Sequence, residues 1–103
     1  MKVAAGSGFG SKPRPALIIQ AAAFAGLGTV VVALFTGTLN EMPISRPLFE
    51  PTPENGLIST SDLMTDILIT VRHERIGGVI GRLNDEDMRR VDRALLIFLD
   101  LAG

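Results

Sequence analysis

The stretch of residues 15–40 contains no charged side chain, and three basic residues precede it: Lys2, Lys12 and Arg14. A basic start followed by an apolar run is typical of a signal peptide or a membrane anchor. Here Gln20 and several glycines and threonines interrupt the run, which favours two short β-strands joined by a turn of small residues. The β-branched block at residues 29–32 suits a buried strand. A single-span membrane protein that uses residues 15–39 is the alternative.

The composition bounds the class of protein. A chain of 103 residues with 47% hydrophobic residues supports one folded domain, residues 1–103, rather than disorder. Its 10 basic and 11 acidic residues nearly balance, which excludes nucleic-acid binding by overall positive charge, so any such binding must be local. The absence of cysteine excludes a disulfide framework and a thiol nucleophile, and it fits a cytoplasmic protein.

Apolar runs separated by turn residues predict a series of short strands. They fall at residues 15–20, 29–35, 48–50, 57–60, 63–71 and 77–83, with a further stub at 2–5. Four prolines within residues 43–53 exclude a helix there. The sum is a mainly β chain, folded as a small, strongly bent sheet or barrel.

The last segment predicts an α-helix that packs on this sheet. Asn84 is a candidate N-cap, and Asp87 follows three residues later within an acidic first turn. Apolar residues then recur at steps of three and four: Met88, Val91, Leu95, Phe98 and Ala102. Residues 94–99 are all apolar, so we expect the second half of the helix to meet two surfaces.

Metal or cofactor chemistry is not indicated. The one histidine, His73, lies in a charged turn, and the carboxylates at residues 85–87 are explained as the start of a helix. The Gly-Ser-Gly-Phe-Gly run at residues 6–10 is followed by prolines rather than by a helix, so it is not a dinucleotide-binding loop. We therefore expect neither a metal nor a cofactor.

Three polar residues stand beside the apolar strands: Arg14, Thr36 and Asp66. Arg14 lies between two prolines that stiffen its backbone, and its guanidinium offers a planar set of donors suited to phosphate. Each residue alone also has an ordinary explanation, as a surface charge, a turn residue and an ion-pair partner, respectively. The pattern makes them candidates for a functional site.

Several segments together resemble one protein family. The run Lys-Pro-Arg-Pro-Ala-Leu-Ile-Ile-Gln at residues 12–20 resembles the second strand of the MazF/PemK toxins of type II toxin–antitoxin systems. Further segments are similar to the family's third strand with its terminal Thr, to a turn, to a strand with an acidic residue, and to the last strand and helix: 30–37, 54–57, 62–66 and 80–101. The resemblance covers residues 3–103 in one order.

This resemblance implies an SH3-like β-barrel of the CcdB/MazF type with a C-terminal helix. Since residues 1–3 enter the family's first strand part-way, we expect that strand to be short. The family implies a cytoplasmic homodimer that cleaves single-stranded RNA by attack of the 2′-OH, without metal, and that binds a cognate antitoxin. A degenerate module that binds an antitoxin without cleaving RNA is the alternative.

The resemblance also implies roles for individual residues. Arg14 and Thr36 match the catalytic Arg and Thr of the family, and Asp66 matches a strand carboxylate that acts as a base in some members. Arg14 would neutralise charge on the phosphoryl oxygens, and Thr36 would hold one of them. Lys12, Phe9 and Phe49 are the candidate RNA-binding residues, the two phenylalanines being expected to be exposed for base stacking.

Overall fold

The computed structural model describes residues 2–6, 14–39 and 46–101, which form a β-sheet and one α-helix. Its strands and helix are β1 Lys2–Gly6, β2 Arg14–Ile18, β3 Thr29–Thr36, β4 Leu48–Phe49, β5 Ser61–Arg72, β6 Ile76–Arg82 and α1 Asp85–Phe98. Two 3-10 turns, Ala22–Leu27 and His73–Arg75, connect β2 to β3 and β5 to β6. The mainly β class with a C-terminal helix is confirmed.

The strands form one antiparallel sheet in the order β4-β5-β3-β2-β1-β6. Although β4 and β6 are the two edges, the turn at residues 52–56 reaches β6, where the Arg82 backbone N–H donates to the Glu54 carbonyl at 2.9 Å. The sheet is therefore curled into a half-barrel. Its curl brings the segment that precedes β5 against the strand at the far edge.

Two glycines make this contact possible. A Cβ atom on Gly56 would lie 2.1 Å from the Ile80 carbonyl oxygen, and Gly56 also has a φ of 71°. A Cβ atom on Gly81 would lie 2.3 Å from the Asn55 backbone. The two backbones thus touch at a distance that no side chain permits.

Both faces of the central strands are apolar, as their continuous hydrophobic runs predicted. One cluster lies under α1 and contains Leu17, Ala33, Phe35, Phe49, Leu57, Leu63, Leu83 and Val91. The other contains the alternate residues of β2 and β3, namely Ala16, Val30, Val32 and Leu34. Successive side chains of a strand point to opposite faces of the sheet. Since consecutive residues of β3 are buried in the two different clusters, both faces of the sheet are covered there.

The helix begins where the capping pattern predicted. The Asn84 side-chain oxygen accepts a hydrogen bond from the Asp87 backbone N–H at 2.8 Å. Val91 is fully buried, and Met88 and Leu95 pack against the same cluster, which confirms the first part of the predicted stripe. Phe98, by contrast, is 46% exposed at the end of the helix. Ala102 lies outside the described residues.

The structure corrects one predicted strand. Residues 57–60 form no strand and bend at residues 58 and 59, because the backbone N–H of Leu57 donates to the Asn55 side chain at 2.9 Å instead of to a strand. The uncharged stretch, for its part, forms β2, a 3-10 turn and β3. Within the described ranges, no helix is long and apolar enough to cross a membrane.

Candidate active site

The register of β2 and β3 brings Arg14 and Thr36 together. Ala16 pairs with Leu34 and Leu17 pairs with Ala33 across these antiparallel strands. Continuing the same register by two residues places Arg14, the first residue of β2, opposite Thr36, the last residue of β3. Side chains at opposite positions lie on the same side of a sheet, with Cβ atoms about 5 Å apart. Two residues 22 positions apart in the chain thus become neighbours.

These two residues line one cleft of about 300 Å³ at the strand ends. Arg14 and Thr36 contribute to one side of the cleft. The segment that precedes β5, with Leu57, Ile58 and Ser59, contributes to another. The cleft is therefore built from three separate parts of the chain.

The functional groups of this pair are available to a ligand. The Arg14 guanidinium makes no hydrogen bond or ion pair with the residues that the structure describes, so its planar set of donors is uncommitted. The Thr36 hydroxyl oxygen accepts from the Thr38 backbone N–H at 3.2 Å, which orients the side chain and leaves its O–H free to donate. A cation and a hydroxyl donor at one cleft suit the oxygens of a phosphate group.

A buried asparagine shapes the other side of the cleft. Asn55 is 2% exposed; its side-chain oxygen accepts from the backbone N–H groups of Thr52 and Leu57 at 3.0 and 2.9 Å, and its amide donates to the Glu50 carbonyl at 2.9 Å. The Thr60 hydroxyl donates to the Glu50 carboxylate at 2.8 Å. Residues 57–60 are thus fixed at both ends. Sequence reasoning missed this wall, although the Asn-Gly pair at residues 55–56 signals a turn.

Asp66 lies elsewhere. Its two carboxylate oxygens accept from the Arg46 Nε and Nη2 at 2.9 and 3.1 Å, and it is absent from the lining of the Arg14–Thr36 cleft. Hydrogen bonding to Arg46 lowers the pKa of the Asp66 carboxyl despite an opposing desolvation effect, and the same bond raises the pKa of Arg46. The structure brings Arg14 and Thr36 together but leaves Asp66 in an ion pair outside the cleft.

A second cavity, of about 340 Å³, lies beside α1 and contains Arg46, Arg90 and Arg93 in its lining. Arg46 is neutralised by Asp66, while Arg90 forms an ion pair with Asp87 at 3.1 Å and donates to the Leu48 carbonyl. Two of the three cations are therefore already committed. This favours the cleft of Arg14 as the place for phosphate chemistry.

The predicted RNA-binding residues have different outcomes. Phe49 was expected to be exposed, and this is wrong, because it is 2% exposed in the core beneath α1. The Phe35 ring contacts it edge-on at 5.9 Å, and the Arg90 guanidinium lies 4.6 Å from its centroid. Its faces are not available to a base in this structure. Phe9 and Lys12 lie outside the described residues.

The ion pair of Asp66 makes a testable contribution to stability. Asp66→Asn is expected to lower the free energy of unfolding at neutral pH by about 2 kcal/mol, because it weakens hydrogen bonds between charged groups and leaves Arg46 without its counter-charge. Since folding lowers the pKa of Asp66, the wild-type advantage is present above the unfolded-state pKa and is lost as the pH falls through the folded-state pKa.

Urea denaturation at neutral pH and at about pH 3, below the usual carboxyl pKa, measures this effect. The difference between wild type and Asp66→Asn should shrink in acid. Asp92→Asn, an exposed change on α1, serves as the control and should leave stability nearly unchanged at both pH values. If the free energy of unfolding differs between wild type and Asp66→Asn by the same amount at both pH values, the stabilising role of the ion pair is contradicted.

Comparisons with known proteins show the family of the chain. The sequence model of the PemK-like, MazF-like toxins of type II toxin–antitoxin systems matches residues 3–99. The chain belongs to this toxin family. A curated relative from Mycolicibacterium smegmatis, named probable endoribonuclease MazF, is 44% identical over 100 residues, which are 97% of this chain and 92% of the relative.

Solved structures share the fold of the toxin. The Mycobacterium tuberculosis toxin MazF-mt6 superimposes with a TM-score of 0.84 at 23% identity, covering 97% of both chains. A mycobacterial endoribonuclease solved in complex with its cognate antitoxin has a TM-score of 0.78 at 22% identity, covering 97% of this toxin and 92% of that chain. At these identities the structural likeness shows the fold alone. The family is shown by the sequence model and by the curated relative.

Proposed function

We propose that Arg14 and Thr36 are the catalytic pair with which this MazF-type endoribonuclease cleaves single-stranded RNA. The proposal depends on one observation: both residues lie on adjacent strands at one cleft, and the guanidinium donors of Arg14 are not hydrogen-bonded within the described residues. The family match spans both residues, and the resemblance of residues 12–20 and 30–37 to the family's second and third strands supports the same assignment. A single strand suits a site of this kind, because it can present its bases and its backbone to one narrow cleft.

The proposed reaction needs groups of this kind. The ribose 2′-oxygen bonds to the adjacent phosphorus while the bond to the 5′-oxygen breaks, which leaves a 2′,3′-cyclic phosphate and a 5′-OH. Negative charge grows on the non-bridging oxygens, and a preorganised guanidinium and hydroxyl stabilise it. Arg14 is also the group that could pass a proton to the departing 5′-oxygen, and Thr36 holds a phosphoryl oxygen.

The acceptor of the 2′-OH proton distinguishes two versions of this mechanism. Among the described residues that line the cleft, none is a carboxylate or an imidazole. In the favoured version the 2′-OH proton passes to a solvent water molecule, and Asp66 stays paired with Arg46. In the alternative Asp66 leaves Arg46 and accepts that proton. In the favoured version Asp66→Asn keeps the wild-type pH profile of kcat, whereas a base role requires loss of its acidic limb.

The second proposed partner is a cognate antitoxin. The family is defined by toxin–antitoxin systems, and a structural neighbour was solved with its own antitoxin. Such a partner would neutralise the toxin in the cytoplasm, where both its messenger-RNA substrate and the antitoxin are made. Growth arrest on expression, relieved by the antitoxin gene of the same operon, is the expected result in cells.

We also propose that the toxin is a homodimer. The end of α1 and the residues after it expose five large apolar side chains, between 42% and 69% accessible: Leu96, Ile97, Phe98, Leu99 and Leu101. Exposed large apolar side chains grouped in this way are typical of an interface. It also fits the second surface that the sequence predicted for this half of the helix.

Light scattering after size-exclusion chromatography tests the dimer. The expected mass is twice the 11.0 kDa of one chain. Phe98→Ser combined with Leu101→Ser should shift the protein to the monomer, whereas Phe24→Ser, an exposed change on the 3-10 turn before β3, should not. A wild-type protein that stays monomeric at all concentrations would contradict the proposal.

The decisive test of the function is cleavage by purified protein. End-labelled single-stranded RNA of mixed sequence is incubated with the toxin in the presence of EDTA, and the product ends are analysed. We expect fragments with 2′,3′-cyclic phosphate and 5′-OH ends. A folded protein, verified by circular dichroism, that leaves such RNA intact would support the degenerate antitoxin-binding module instead.

A further inference from the structure

The cleft has an apolar group at its rim that the catalytic pair does not explain. Ile58 lines the cleft, yet it is 96% exposed, the highest value among the large apolar residues of the described chain. A side chain so exposed buries almost no apolar surface against its own protein, and contributes little to folding. Single exposed apolar residues are common, so its position and support decide whether it has a function.

The segment that carries Ile58 is braced rather than free. On one side the buried Asn55 binds the Leu57 backbone, and on the other the Thr60 hydroxyl binds Glu50. The Ser61 hydroxyl also donates to the Ser59 carbonyl at 2.9 Å. These bonds hold the residues before and after Ile58 in place. Its side chain is thus presented to solvent at a fixed position, which lowers the entropic cost of binding a ligand there.

No other apolar side chain in the described lining of the cleft is exposed, since Pro15 is half-buried and Leu57 is buried. Phe35 also belongs to its lining, but this residue is 3% exposed and its ring packs against Phe49. Single-stranded RNA held at Arg14 by its phosphate carries bases next to that phosphate, and each base has an apolar face. Ile58 is the exposed apolar side chain within the described lining, and it can cover such a face.

We propose that Ile58 is a substrate-binding residue that packs against a nucleobase next to the scissile phosphate. The proposal rests on the proposed ribonuclease function, and it adds a base contact to the phosphate contacts of Arg14 and Thr36. The contact is apolar, so it favours an unstacked base and discriminates weakly among the four bases. It makes cleavage depend on the presence of a base at one defined position.

Kinetics with altered RNA test this contact. After the cleavage site of the wild type is mapped, KM and single-turnover kcat are measured on intact RNA and on RNAs that each lack one base near that site. Ile58→Ser should raise KM on intact RNA by about tenfold with little change in kcat, because it removes binding energy common to ground and transition states. Leu27→Ser, an exposed change in the turn before β3, should match the wild type.

The coupling between residue and base gives the decisive result. On one of the abasic RNAs, the KM of the wild type should rise as much as Ile58→Ser raises KM on intact RNA. The two proteins should then have equal KM values on that abasic RNA. Unchanged kinetics of Ile58→Ser on intact RNA would overturn the proposal. So would a KM penalty of equal size on every abasic RNA, because Ile58 would then act without contacting a particular base.

A binding measurement separates this proposal from the proposed function. Fluorescence anisotropy with uncleavable 2′-O-methyl RNA reports contact without reaction. One outcome is that the wild type binds the 2′-O-methyl RNA but does not cleave unmodified RNA, and that Ile58→Ser weakens binding about tenfold. The base contact then stands and the nuclease assignment fails. If the wild type cleaves RNA and Ile58→Ser behaves identically in both assays, the nuclease assignment stands alone. A protein that neither binds nor cleaves RNA overturns both.

Discussion

Arg14→Ala is expected to lower kcat for RNA cleavage by about 10³-fold, because it removes the donors that stabilise charge on the phosphoryl oxygens. The change should leave the fold intact, since the Arg14 side chain is exposed and makes no bond within the described protein. Initial rates on single-stranded RNA at saturating substrate measure the effect. Circular dichroism and thermal unfolding of the same samples exclude a loss of structure.

Two further variants define what the arginine supplies. Arg14→Lys keeps the positive charge but loses the planar set of donors, so its activity should fall between the wild type and Arg14→Ala. Arg72→Ala is the matched control, because this exposed arginine pairs with Thr29 at the opposite end of β3 from Thr36. Equal loss of activity in Arg14→Ala and Arg72→Ala would mean that general charge, and not the cleft, drives the reaction.

Gly81→Ala is expected to lower the free energy of unfolding by about 3 kcal/mol, the upper part of the range for adding a methyl group to a packed interior. The new Cβ atom would lie 2.3 Å from the backbone of Asn55, which is fixed by its own hydrogen bonds. Either the turn or β6 must then move, and the hydrogen bond between Arg82 and Glu54 weakens with it. Urea denaturation measures the loss.

Gly78→Ala is a close control, because it lies in the same strand and its Cβ atom would meet nothing within 4 Å. It should change stability by less than about 1 kcal/mol. Activity gives a second readout, because the displaced turn carries the wall of the cleft. A Gly81→Ala protein as stable as Gly78→Ala would show that the two backbones do not touch in solution.

Much of the fold could be predicted where the information is local. The apolar run at residues 29–35 predicted β3 to within one residue, and Asn84 predicted the start of α1. Apolar runs and caps depend on neighbours in the chain, so they are visible in the sequence. The closeness of Arg14 and Thr36 came from the family resemblance, and the strand register supports it physically.

The errors arose where a distant group changed the local preference. Residues 57–60 have the composition of a strand, but the side chain of Asn55 binds the backbone that a strand would pair. Phe49 follows a proline-rich loop and was expected to be exposed, yet it packs under a helix that comes more than 30 residues later. The ion pair between Arg46 and Asp66 likewise joins residues 20 positions apart. Such contacts depend on tertiary packing, which periodicity does not report.

The contact between the turn at residues 52–56 and β6 has a consequence for synthesis of the protein. Arg14 and Thr36 leave the ribosome early, but the backbone that supports the opposite wall of their cleft is made about 25 residues after that turn. We therefore expect nascent chains that lack β6 to be harmless to the messenger from which they are being translated. Toxicity would begin only after β6 has left the ribosome, and RNA cleavage by released chains that end before and after β6 would reveal the onset.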